Sequence, residues 1–95
     1  MASGTVKKTI GGFGVPSTVT LPYSPKTDGI IVGSFSPSTA SNSWTFVYRN
    51  GDTYSRAMSS GGTGYGICFP VKTGENYTQQ QGNVANSTYT FFGFE

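Results

Sequence analysis

The chain has 95 residues, which makes one domain, 1–95, because chains divide only beyond about 250 residues. Six lysines and arginines against four acids leave a formal charge of +2 with no histidine. This excludes histidine-based catalytic triads and histidine metal sites and is too slight and scattered for an electrostatic nucleic-acid footprint. One leucine and four alanines stand against 25 serines and threonines, 14 glycines and 14 aromatics, which disfavours helix, favours strand and, with few charges, argues against disorder.

In chain order, short β-prone runs separated by Gly, Pro, Asn and Ser fall at 5–10, 17–23, 29–36, 43–50, 52–59, 65–72, 76–81 and 87–94. About eight strands at this spacing, with essentially no helix, predict an all-β antiparallel sandwich or jelly roll. The turn region Pro22-Tyr23-Ser24-Pro25-Lys26-Thr27-Asp28-Gly29 feeds Ile30-Ile31-Val32, a run apolar on both faces and therefore a central strand.

Asn50-Gly51 predicts a type I′ hairpin, since both central positions need positive φ, and closing it there sets Arg49 opposite Asp52. Trp44, Phe46 and Tyr48 then share one face with Thr53, Ser55 and Ala57. Large aromatics against small residues predict that this face points into the core. The other face carries Tyr54, Arg56 and Met58. A second hairpin is expected at 71–76, with Gly74 as its left-handed residue, and Pro70 places the preceding strand at an edge or a bulge. Cys68, between Ile67 and Phe69, is expected to be a small buried side chain.

The last strand departs from simple alternation. Tyr89 and Phe91 face one way, Phe92 and Phe94 the other, whereas a sandwich strand with one wet side alternates apolar and polar. Either the strand is central within a monomer, or sister chains cover its outer aromatics; three copies around an axis would do so and would protect strand edges. No apolar run approaches the roughly 20 residues of a membrane span, and Met-Ala-Ser-Gly at the start lacks a signal-peptide core. The expectation is a soluble binding or assembly module with no nucleic-acid partner and no membrane insertion.

The segment Asp28-Gly29-Ile30-Ile31-Val32-Gly33, then Cys68-Phe69-Pro70-Val71-Lys72-Thr73-Gly74-Glu75-Asn76-Tyr77, then Tyr89-Thr90-Phe91-Phe92-Gly93-Phe94 resembles the C-terminal tip domains of tailed-phage fibres, both tail and head fibres. The resemblance covers roughly residues 17–95. It implies a small β-sandwich or jelly roll that forms homotrimers on the virion surface and adheres to a host receptor, often a glycan. It transfers no individual ligand-binding residue.

Adhesion to sugars uses aromatic faces against C–H surfaces, with amides, hydroxyls and charges on the sugar hydroxyls. Tyr54 and Arg56, on the outer face of the first hairpin, form one such pair, or else an ordinary cross-strand pair. Tyr65, in the glycine-rich loop 59–66, is a second candidate; it could equally anchor that loop to the core. Trp44 has the chemistry of a stacking platform, but its period-two run with Phe46 and Tyr48 assigns it to the core. Asp28 and Asp52 stand beside glycines as turn formers rather than as calcium ligands. The four acids adjoin turns or the terminus with no pair positioned for acid–base work. No enzyme, cofactor or metal is therefore expected. The competing reading is a monomeric carbohydrate-binding module or small lectin.

Overall fold

Alternation of buried and exposed residues builds two antiparallel sheets in the computed structural model, which describes residues 13–38 and 42–94. The strands are β1 (Ser17–Val19), β2 (Gly29–Pro37), β3 (Ser43–Arg49), β4 (Asp52–Ser59), β5 (Tyr65–Val71), β6 (Tyr77–Gly82) and β7 (Val84–Gly93). One sheet runs β1-β7-β2-β5 and the other β4-β3-β6. Together they form an all-β sandwich, with no helix among the described residues. The strand expected at 5–10 lies outside the described residues.

The four-stranded sheet follows its sequence pattern closely. In β2, Gly29, Ile31, Gly33 and Phe35 are buried, while Val32, Ser34 and Ser36 are exposed. As a strand apolar on both faces should, β2 lies inside its sheet, between β7 and β5. Pro70 sits on β5, an edge strand, where its missing N–H costs no ladder bond. Ile67, Phe69 and Val71 of β5 face inward with Tyr89 of β7. Cys68, expected to be buried, is exposed instead. It lies between two inward residues, Ile67 and Phe69, so period two turns it out.

The hairpin of β3 and β4 closes as predicted, with Asn50 and Gly51 at φ 51° and 89°. Arg49 is opposite Asp52 in the register, yet its guanidinium pairs with Glu75 at 3.1 Å. Asn50 also ties this hairpin to the next turn: its N–H donates to the Asn76 carbonyl at 2.8 Å, and its side-chain oxygen accepts the Asn76 N–H at 2.8 Å.

Residues 72–75 do form a turn, closed by Glu75 N–H to Lys72 O at 3.2 Å, with Gly74 at φ 81°. It is not a hairpin. The strand before it belongs to the four-stranded sheet and the strand after it to the three-stranded one, so this turn carries the chain across the sandwich. Asp28 braces it, its carboxylate accepting the Thr73 N–H and hydroxyl at 2.8 and 2.9 Å. These bonds hold the Asp28 carboxyl below its ordinary range, the backbone one contributing most.

The facing of β3 is the reverse of the expectation. Ser43, Thr45 and Val47 are buried, while Trp44, Phe46 and Tyr48 lie half-buried on the outer surface. The reason is space. The opposite sheet sends Phe35, Tyr65, Phe69 and Tyr89 into the interior, and Tyr77 is buried beside them. Close packing against such volumes needs small side chains on the facing strand. The interior is consequently polar at one end. The Tyr65 hydroxyl bonds those of Ser43 and Thr45 at 2.9 and 3.3 Å, Gln81 donates to Thr45 Oγ1 at 3.3 Å, and the Tyr89 hydroxyl donates to Gln79.

Candidate functional site

Two faces remain outside the sandwich, and both carry aromatic rings. On the three-stranded sheet, Trp44, Phe46 and Tyr48 run along β3, its central strand. At about 6.8 Å per two residues, the row spans about 14 Å. The Trp44 and Phe46 rings are 4.8 Å apart and inclined at 34°. On one side their register partners are Met58 and Arg56; on the other they are Gly82 and Gln80.

Each ring is held from beside or below. Gly82 leaves room for the Trp44 indole to rest on the sheet, because a Cβ there would run into the ring. The Arg56 guanidinium carbon stands 5.9 Å from the Phe46 ring centroid, within cation–π range. The Tyr48 hydroxyl donates to the Gln80 carbonyl at 2.8 Å, so the amide NH2 is what Gln80 has left to offer. Beside Trp44, a depression of about 360 Å³ is lined by Asn42, Ser43, Met58, Ser59 and Ser60. Met58 is 69% exposed there, and Ser59 fixes the loop beyond by donating to the Thr63 carbonyl at 2.6 Å.

The three residues singled out from the sequence part company. Arg56 faces outward on this platform. Tyr54 does not accompany it, because a register shift between Val47 and Tyr48 inserts an extra residue into β4 and turns Tyr54 toward the other sheet. Its ring meets Phe69 edge-on at 6.0 Å, its hydroxyl donates to the Pro70 carbonyl at 2.7 Å, and Arg49 lies 5.2 Å from its centroid. Tyr65 is the anchor of its loop, half-buried 5.0 Å from Phe35 and bonded to the inner hydroxyls of β3. Tyr54 and Tyr65 are thus building parts. The outward-facing rings beside hydrogen-bonding groups are instead Trp44, Phe46 and Tyr48, each half-buried.

Burial raises the hydroxyl pKa of Tyr77 and, further, of Tyr89, the charge of Tyr65 adding to the latter. Both stay protonated and act as interior hydrogen-bonding groups.

The outer face of the four-stranded sheet is apolar at one end and polar beyond it, where Ser34, Ser36, Thr88, Thr90 and Asn86 lie. Phe92 and Ile30 are register partners, as are Val32 and Cys68. Phe13 covers Phe92 edge-on at 5.8 Å and meets Phe94 at 5.4 Å. This cover is partial: Phe13 remains 38%, Val32 40% and Phe94 42% exposed. No protein-family model matches the chain, and neither does any curated protein or solved structure.

Proposed function

We propose that this chain is a non-catalytic adhesion module of the phage-fibre-tip kind, acting on the virion surface, self-assembling as a homotrimer and holding a host-surface glycan. The observation that carries the reading is the outward row Trp44–Phe46–Tyr48. Sugar rings present C–H faces that pack against aromatic faces, and their hydroxyls need amide and hydroxyl partners at the rim. Gln80 and Thr78 flank the row as such partners on one side, and the Arg56 guanidinium adds N–H donors on the other. The opposite face, with Phe13, Val32 and Phe94 open to solvent, supports assembly: exposed apolar patches of this kind mark contacts between proteins.

A monomeric carbohydrate-binding module is the second reading. It is favoured by Phe13, which covers part of the Phe92–Phe94 surface from within the same chain. Sedimentation equilibrium at micromolar concentration separates the two. A mass of three chains supports the fibre-tip reading, and a stable monomer that binds glycan on an array supports the second. A monomer that binds no glycan overturns both.

A further inference from the structure

We infer that the glycan held by the outer face of the three-stranded sheet is acidic, its carboxylate or sulfate paired with Arg56 and its pyranose rings stacked along Trp44, Phe46 and Tyr48. The inference rests on the glycan-binding reading above and adds the ligand's charge and its alignment along β3.

The argument begins with where charge is and is not. The register places Trp44, Phe46 and Tyr48 on this face, with Thr53, Arg56 and Met58 from β4 and Thr78, Gln80 and Gly82 from β6. Arg56 is the one charged side chain among them. The described acids lie elsewhere: Asp28 is bonded to Thr73, Asp52 stands at the hairpin end opposite Arg49, and Glu75 is paired with Arg49. Among the described residues, no carboxylate reaches ion-pair distance of Arg56.

Arg56 is exposed and stands beside the central ring of the row. A guanidinium there offers several N–H donors in a planar fork that matches a carboxylate or sulfate bidentately. A neutral sugar would use only part of that capacity. The apolar rings around Arg56 lower the local dielectric once a ligand covers them, which strengthens the pairing relative to one in open water.

A single-stranded nucleic acid shares the need for stacking and positive charge, but it brings a phosphate at every nucleotide, and its binders line the path with bases. One arginine on the face does not meet that need. An acidic saccharide asks for one cation within a row of stacking platforms, which is the composition present.

The test uses the full chain on an array carrying neutral, carboxylated and sulfated oligosaccharides, with a short oligothymidylate as a further probe. The wild type is expected to prefer acidic glycans at least tenfold over neutral ones of the same linkage. Arg56→Gln should remove that preference while keeping residual binding to neutral sugars, and Arg56→Lys should restore part of it. Trp44→Ala should abolish binding to both classes, with unchanged circular dichroism as the folding control.

Equal binding of neutral and acidic glycans, or an Arg56→Gln variant with unaltered preference, overturns the acidic assignment and leaves the adhesion reading standing. No binding to any glycan overturns both. Tighter binding of oligothymidylate than of every glycan replaces the saccharide with single-stranded nucleic acid.

Discussion

The indole of Trp44 rests on the backbone at Gly82, two strands in register pressed together without a side chain between them. The contact sets the height of the first ring of the outer row, so the shape of the platform depends on a residue that itself offers nothing to a ligand. Gly82→Ala should lift the indole, shift the emission of this single tryptophan to the red and weaken glycan binding. Overpacking of this kind costs about 1–3 kcal/mol. Urea denaturation followed by fluorescence reads both the stability and the spectral change.

A contrasting outcome is expected for Tyr65. Its hydroxyl meets two buried hydroxyls, those of Ser43 and Thr45, and Tyr65→Phe leaves them without that partner. A loss of about 1–3 kcal/mol in unfolding free energy should follow, with ligand affinity unchanged. Altered glycan binding at constant stability would return Tyr65 to the site.

The seven described strands and the Asn50-Gly51 turn were legible in the sequence because each has a local cause, and Pro70, expected at an edge or a bulge, lies on an edge strand. The facing of β3 was not legible. Both parities of 43–48 alternate equally well, and the rule that large rings go inward chose Trp44, Phe46 and Tyr48. A one-residue change of parity exchanges the two faces completely, and the deciding fact is the volume sent across by Phe35, Tyr65, Phe69 and Tyr89, which is a tertiary quantity. Tyr54 was misplaced for a related reason: the β4 irregularity has no glycine or proline to announce it. The sequence therefore drew attention to aromatics beside Arg56, and the rings that share its face are Trp44, Phe46 and Tyr48 rather than Tyr54.

Acid sensitivity should trace in part to Asp28. Its folded pKa lies below the ordinary 3.8, so the unfolded chain takes up a proton first. Its contribution is complete above the unfolded value and is lost as pH falls through the folded one. Thermal midpoints measured down this acid range should fall less steeply for Asp28→Asn than for the wild type. Parallel curves would remove Asp28 from the acid response.

The alkaline limb has the opposite sign. Tyr77 and Tyr89 are raised above their ordinary 10.0, so the unfolded chain loses these protons first and binds fewer than the native one. Stability is complete below that value and declines as pH rises toward the folded pKa values. Tyr89→Phe should flatten the decline seen in denaturant midpoints above pH 10.0.

Cys68 gives a reporter for assembly. It is exposed on the same outward face as its register partner Val32, so a monomer should react with a maleimide at a rate independent of protein concentration. If copies cover this face, labelling should slow as protein concentration rises. Phe94→Ser, at a ring already 42% exposed, should restore fast labelling and reduce the sedimenting mass. Concentration-independent labelling would count against assembly through this sheet.

The hydroxyls and amides enclosed at one end of the sandwich bear on why the chain settles into a single arrangement. Greasy contacts are indifferent to a small slip of one layer over the other. The directional bonds joining Tyr65 to Ser43 and Thr45, Gln81 to Thr45, and Tyr89 to Gln79 are not. Sliding either layer by a pair of residues would strand several of them in the dark. That end works like the teeth of a key, and the orientation of every outward ring is inherited from its cut.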